Sequence, residues 1–106
     1  MSFELKDLSE LREVIDRIDR DLVALIAERV RCLDQVVAVK RRDGIPAAIP
    51  ERVEEVVAHV RAEAQAAGVP PDLAEILWRS LIGWSIAYEE GHIESAPNSQ
   101  KSGPAC

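Results

Sequence analysis

Apolar residues recur at alternating steps of three and four along the first third of the chain. This stripe, called the first stripe below, consists of Leu11, Ile15, Ile18, Leu22, Leu25, Cys32, Val36 and Val39. Such spacing is that of one helix face and is close to a heptad seam. Asp7 and Glu10 have the spacing of a capping box, although Ser9 could serve as the cap instead, and Asp43-Gly44 supplies a stop. The pattern predicts a helix over about residues 9–42, roughly 50 Å long.

Two shorter helices are predicted to follow. Pro50 fits the first turn of a helix that ends at Gly68. Its apolar face is Val53, Val56, Val57, Val60 and Ala64. A third helix begins after Pro70 with Asp72 as its cap. The apolar face of this third helix is Leu73, Ile76, Leu77, Leu81, Trp84 and Tyr88. The chain is therefore predicted to be all-α, with three helices in one domain over residues 1–94 and a disordered polar tail over residues 95–106.

The length of the first helix predicts a second copy of the chain. A compact chain of 106 residues has a radius of gyration near about 13 Å. A helix of about 50 Å extends beyond such a fold and needs a partner to cover its apolar stripe. A homodimer is the simplest arrangement that supplies one.

Charge and composition limit the possible partners. The net charge is −6, with 47% hydrophobic and 30% charged residues. This argues against nucleic acid or an anionic membrane surface as the main partner. No apolar run reaches the roughly 18 residues of a membrane span. The first seven residues lack a signal-peptide pattern, so we expect a cytoplasmic protein.

Two cations lie where the first helix should be apolar. Arg29 takes the place of an apolar residue between Leu25 and Cys32 of the first stripe. Lys40 lies about 20° from Arg29 around the helix and about 16 Å further along it. An unpaired buried cation costs several kcal/mol, so an anion is expected there, either a protein carboxylate or a ligand. Arg12 lies about 100° away and about 25 Å distant. It is either a solvated charge paired with Asp16 or a residue that reaches the pocket of an antiparallel second copy.

Other catalytic chemistry has little support in the sequence. Glu89 and His92 have a Glu-x-x-His spacing, but a di-metal bundle needs two such pairs, and His59 has no matching Glu. No Gly-rich phosphate loop and no histidine near a Ser or Cys nucleophile is present. We therefore expect no metal and no cofactor. What remains is a cationic pocket for a small polyanion.

These residues resemble a known family. Residues 11–19, residues 22–29, Lys40 and residues 50–53 together look like the all-helical chorismate mutases. The resemblance covers about residues 8–92. It is close to the branch that includes the isochorismate pyruvate lyases of salicylate biosynthesis.

The resemblance implies an intertwined homodimer with two identical sites for a small dicarboxylate substrate. Each site would take Arg29 and Lys40 from one chain and Arg12 from the other. Arg12 and Arg29 would bind the two carboxylates, and Lys40 would donate to the ether oxygen of the substrate.

The resemblance also gives roles to three further residues. Glu51 would contact the ring hydroxyl, and Ser85 would lie near the ring carboxylate. Glu89 takes a position that is usually Gln, the second donor to the ether oxygen. Since a carboxylate cannot donate a hydrogen bond, Glu89 must be protonated to take that role.

Departures from the family pattern leave the reaction open. Pro50 stands where mutases commonly have an Arg. The loop is shorter than in mutases, and Ala47, Ala48 and Ile49 occupy the place where an acidic residue is expected. Both traits resemble the lyases. Ser85 instead resembles the mutases. The preferred hypothesis is a chorismate mutase, which rearranges chorismate to prephenate by fixing one conformer and stabilising charge at the ether oxygen. The alternatives are an isochorismate pyruvate lyase, an enzyme for an amino-substituted chorismate, and a non-catalytic dimerisation module in which Arg29 and Lys40 pair with acids such as Glu51 and Glu89.

Overall fold

The computed structural model describes residues 7–94, and these residues form three helices and no strand. Helix α1 spans Leu8–Asp43, α2 spans Pro50–Ala67 and α3 spans Pro71–Glu94. The all-α prediction and the order of helices are confirmed. The predicted polar tail, residues 95–106, lies outside the described residues.

The helix ends follow from local sequence, with one exception. The Asp7 carboxylate accepts the Glu10 N–H at 2.8 Å, so Asp7 caps α1 as predicted. Gly68 adopts φ 81° just after α2, a left-handed conformation that favours glycine. The prediction of Asp72 as the cap of α3 was wrong. The Pro70 carbonyl accepts the first N–H groups instead, and the Asp72 carboxylate accepts a hydrogen bond from Arg61 at 3.0 Å.

The chain groups into two compact units that divide between Cys32 and Leu33. The described part of the first unit, residues 7–32, is helical from Leu8 and leaves most of the first stripe uncovered. Its exposed large apolar side chains are Leu8, Ile15, Ile18, Leu22, Val23, Leu25 and Ile26. An apolar row of this length on one helix is unusual for a surface that faces water.

The second unit, described over residues 33–94, holds the core. Its buried apolar residues are Leu33, Val37, Ala47, Val57, Ala64, Ala74 and Ile82. The predicted face of α2 is confirmed, because Val57 and Ala64 are buried and the other three valines are half-buried. On α1 the buried residues are Leu33 and Val37, each one position beyond the predicted Cys32 and Val36. This rotation brings Lys40, one turn after Val37, onto the packed face.

Helix α3 does not bury the face that its large apolar residues predict. Leu73, Ile76, Leu77 and Trp84 are exposed, whereas the buried positions are Ala74, Ile82, Ser85 and Glu89. The prediction of this face was wrong for the single chain. The reason is that helical periodicity marks a surface suited to burial without saying which chain covers it.

Ion pairs join the polar edges of α2 and α3. Arg79 on α3 lies 3.0 Å from Glu54 of α2 and 2.7 Å from Glu75 of α3. Arg61 of α2 lies 2.7 Å from the same Glu75. The hydrogen bonds from Arg79 lower the pKa of Glu54 and of Glu75, and Arg61 adds to the effect on Glu75. These bonds reinforce the packing of the two helices.

Within the described residues, none of the three helices is both long enough and apolar enough to span a membrane.

Candidate functional site

A buried ion pair joins α1 to α3 at the end of the core. Lys40 Nζ lies 2.8 Å from Glu89 Oε1, and the side chains are only 16% and 8% exposed. Lys40 follows Leu33 and Val37 on the packed face of α1, and Glu89 follows Ile82 on the packed face of α3. The apolar face of α1 therefore ends in a cation and that of α3 ends in an anion, and the two are in contact. Each charge is paired, so neither is left buried without a partner.

The loop between α1 and α2 adds a second partner for Lys40. Gly44 takes φ 69°, and the Ile45 N–H donates to the Lys40 carbonyl oxygen at 2.9 Å, which turns the chain back after α1. Two residues later the Ala47 carbonyl oxygen accepts a hydrogen bond from Lys40 Nζ at 2.9 Å. The ammonium is thus held by a carboxylate and by a main-chain carbonyl.

Ser85 lies one turn before Glu89 on the packed face of α3. It is 5% exposed, and its hydroxyl donates to the Leu81 carbonyl oxygen at 2.8 Å. A buried serine and a buried glutamate four residues apart make one end of this face polar in a helix whose other buried residues are apolar.

A second contact joins α1 to α3 through the residue that precedes Glu89. The Tyr88 hydroxyl donates to the Asp34 carboxylate. The Tyr88 ring stacks on Trp84, with ring centres 5.1 Å apart, and against His92, with ring centres 4.2 Å apart. Consecutive residues of α3, Tyr88 and Glu89, thus bind α1 at Asp34 and at Lys40, which lie six positions apart.

A cavity of about 350 Å³ opens beside the loop. It is lined by Lys40, Arg41, Gly44, Ile45, Pro46 and Ile93. Two cations among apolar groups suit a small anion with a carbon skeleton. Within residues 7–94, no three His, Cys, Asp or Glu side chains group as metal ligands.

The structure brings together some predicted site residues. Lys40 and Glu89 are in contact, and Ser85 shares the packed face of Glu89. Glu51 is exposed in the first turn of α2. In the first unit, Arg12 is exposed and Arg29 is half-buried.

The Lys40–Glu89 contact is expected both for an enzyme and for a non-catalytic dimerisation module. In an enzyme it brings together the two residues assigned to the ether oxygen, and in a module it is simply the pairing of a cation with an acid. Sequence reasoning missed the Ala47 carbonyl and the Asp34–Tyr88 bond. A main-chain carbonyl leaves no sequence signal, and Asp34 is one acid among 19 Asp and Glu residues.

Comparison with known families decides the membership. The sequence model of the family "Chorismate mutase type II" matches residues 11–90, which include Lys40 and Glu89. The chain belongs to the type II chorismate mutase family. The resemblance found in the sequence is thereby confirmed, and the chain is a member of an enzyme family.

Relatives of this type II chorismate mutase family member include a T-protein, a chorismate mutase and an isochorismate pyruvate lyase. The T-protein of Enterobacter agglomerans is 41% identical over 83 residues, covering 78% of this chain and 22% of the T-protein. The chorismate mutase of Methanocaldococcus jannaschii is 29% identical, covering 92% of this chain and 98% of that protein. The isochorismate pyruvate lyase of Pseudomonas aeruginosa is 37% identical, covering 77% and 80%. The chain thus spans only about a fifth of the T-protein's length.

Proposed function

We propose that this chain is a chorismate mutase that converts chorismate to prephenate without a cofactor. The observation that carries the proposal is the match of residues 11–90 to the chorismate mutase type II family, a segment that includes Lys40 and Glu89. The contact of these two residues at 2.8 Å supports it, because both are assigned to the ether oxygen of the substrate. The proposal gains support from the chorismate mutase of Methanocaldococcus jannaschii, which this chain matches over 98% of that protein's length.

The proposed reaction needs positioning and charge stabilisation rather than a nucleophile. Chorismate to prephenate is an intramolecular rearrangement, so the protein must hold one conformer of the substrate. Negative charge grows on the ether oxygen as its bond to the ring breaks, and the Lys40 ammonium stabilises that charge. A fixed donor in a site sheltered from water acts without reorganising at the moment of reaction.

Glu89 supplies the second donor once it carries a proton. One carboxyl oxygen continues to accept from Lys40, at the 2.8 Å distance found without substrate, while the protonated oxygen donates to the ether oxygen. The role is the one a glutamine amide performs without a proton requirement.

The two carboxylates of the substrate are assigned to Arg29 and to Arg12 of a second chain. The proposed homodimer is supported by exposed apolar surface in both units. In the first unit it includes Ile15, Ile18, Leu22 and Leu25, and on α3 it includes Leu73, Ile76, Leu77 and Trp84. Burying such rows between two copies removes a large apolar area from water, which favours association.

Glu51 and Ser85 complete the proposed site. Glu51, exposed in the first turn of α2, would accept a hydrogen bond from the ring hydroxyl of the substrate. Ser85 is buried, and its hydroxyl hydrogen, now directed to Leu81, must turn to reach a substrate carboxylate.

An isochorismate pyruvate lyase is the second candidate. It is supported by the 37% identity to the lyase of Pseudomonas aeruginosa. Pro50 and the absence of an acid at residues 47–49 also agree with it. In both reactions Lys40 would donate to an ether oxygen and the two arginines would bind carboxylates. The two candidates therefore differ in their substrate rather than in their catalytic residues.

Product analysis separates the two reactions. Incubation of the purified chain with chorismate is expected to give prephenate. Salicylate and pyruvate from isochorismate, without prephenate from chorismate, would instead establish the lyase.

Thermal unfolding separates the enzymes from a non-catalytic module. A dicarboxylate analogue of the transition state stabilises a protein that binds it, by an amount that rises with ligand concentration. We expect a higher Tm for the parent chain and a smaller shift for Arg29→Ala. An unchanged Tm together with no turnover would favour the dimerisation module.

A further inference from the structure

The loop after α1, residues 44–49, folds back onto Lys40, the proposed catalytic lysine. It is joined to Lys40 by two hydrogen bonds, one to the main chain of Lys40 and one from its side chain. The Lys40 carbonyl oxygen accepts from the Ile45 N–H at 2.9 Å, and Lys40 Nζ donates to the Ala47 carbonyl oxygen at 2.9 Å. Main chain and side chain of one residue thus hold the same short loop.

The Ala47 carbonyl is fixed on both sides. Before it, Gly44 at φ 69° sets the direction in which the loop leaves α1. After it, the Ile49 carbonyl oxygen accepts the Arg52 and Val53 N–H groups at 2.9 and 3.1 Å and begins α2. Ala47 itself is 9% exposed. The acceptor is therefore a preformed part of the fold.

Two acceptors determine where the third N–H of Lys40 points. An ammonium carries three donors on a flexible four-carbon stem. Glu89 Oε1 takes one at 2.8 Å and the Ala47 oxygen takes another. With Glu89 as the only acceptor, the ammonium could rotate about its hydrogen bond to Glu89, and its other two N–H groups could point in many directions. With both acceptors in place, the direction of the remaining donor is set.

We propose that the main-chain carbonyl of Ala47 is a positioning group, which orients the free N–H of Lys40 towards the reacting oxygen of the substrate. The inference rests on the proposed function, because the reacting oxygen belongs to the substrate. It assigns the role to the backbone of residue 47, so the side chain at this position can vary as long as the loop keeps its path.

Replacing single amides by esters tests the carbonyl directly. The chain can be assembled chemically by ligation at Cys32, which is exposed and divides the chain into synthetic segments of 31 and 75 residues. Replacing Ala48 with L-lactic acid turns the Ala47 carbonyl into an ester, which is a weaker acceptor. Replacing Ala47 with L-lactic acid is the matched control, because the same chemical change then weakens the Pro46 carbonyl.

The Ala48 ester is expected to lower kcat for chorismate, or for isochorismate if that is the substrate, about five- to tenfold, the size of one weakened hydrogen bond. KM should stay within about twofold because the carbonyl touches the lysine and not the substrate. The Ala47 ester should leave kcat within about twofold of the all-amide chain.

The outcomes distinguish the inference from the function beneath it. Equal kcat values for the two esters, with an active all-amide chain, would overturn the positioning role alone. An all-amide chain that turns over neither chorismate nor isochorismate would overturn both. If the Ala48 ester does not fold, NMR of the all-amide chain decides. A scalar coupling between Lys40 Nζ and the Ala47 carbonyl carbon supports the role, and its absence contradicts it.

Discussion

Lys40 Nζ lies 2.8 Å from Glu89 Oε1, and this contact joins the last turn of α1 to α3 at the end of the core. The two residues assigned to the ether oxygen are therefore in contact before any substrate binds. Because both side chains are largely buried, removing either one leaves the other without its partner and is expected to lower stability. Stability and activity can be separated only by changing both residues.

Changing both residues of the pair is expected to restore the stability that one change removes. Lys40→Met leaves the Glu89 carboxylate buried without its cation, which should cost about 3 kcal/mol of unfolding free energy. The Lys40→Met/Glu89→Gln double variant should be close to the parent, because no unpaired charge remains. Urea unfolding at pH 7 measures both. A Lys40→Met variant as stable as the parent would mean that the pair is not buried in solution.

The proposed role of Glu89 is to donate a hydrogen bond to the ether oxygen. A glutamine amide donates without needing a proton, so Glu89→Gln should turn over chorismate at pH 7 with a kcat/KM at least as high as the parent's. Glu90→Gln changes the exposed neighbouring residue and should leave kcat/KM unchanged. A folded Glu89→Gln variant that loses most of the turnover would contradict the donor role of Glu89.

Mixing two inactive variants tests the contribution of Arg12 from a second chain. In a heterodimer of Arg12→Ala and Lys40→Met chains, one site receives intact Arg29, Lys40 and Arg12. Half of a random mixture forms such heterodimers, so about a quarter of the parent activity should return. Each variant alone should stay inactive. A mixture of folded, dimeric variants that recovers nothing would place Arg12 in its own chain's site, whereas an active Arg12→Ala variant would place Arg12 outside any site.

Acid should weaken the contact between α2 and α3. The folded-state pKa of Glu54 and of Glu75 lies below 4.5 because both accept hydrogen bonds from Arg79. The stability they add is present above about pH 4.5 and is lost as pH falls through their folded-state pKa values. Arg79→Gln should therefore lower Tm at pH 7 and make little difference at strongly acidic pH.

The control for this acid effect is Arg52→Gln. Among residues 7–94, Arg52 pairs with Glu55 alone, at 2.8 Å on the same helix, so its loss should change Tm less. An Arg79→Gln variant with the parent's Tm at pH 7 would show that the pairs between the helices do not contribute to stability. Addition of 1 M salt should reduce the difference between Arg79→Gln and the parent.

Much of this fold follows from short-range sequence signals. Pro50 and Gly68 mark the ends of α2, and the stop at Gly44 needs only its left-handed backbone. Lys40 and Glu89 could be identified from the family pattern, but their contact depends on the packing of α1 against α3, which joins residues 49 positions apart.

The faces of the helices were harder to predict. Trp84 and Leu77 have the spacing of a buried face, yet they are exposed while Ser85 and Glu89 are buried. Periodicity reports which positions suit burial, but it does not distinguish burial within one chain from burial between two. The carbonyl of Ala47 could not be predicted at all, because every residue has one.

Turnover of chorismate by Lys40→Met, measured beside the parent and the Lys40→Met/Glu89→Gln variant, tests the central claim most directly. The parent should form prephenate. Both variants should lose about 10²- to 10³-fold in kcat, the usual effect of removing one donor to a developing oxyanion, although the double variant remains folded. A folded variant without Lys40 that keeps nearly the parent's kcat would contradict the account.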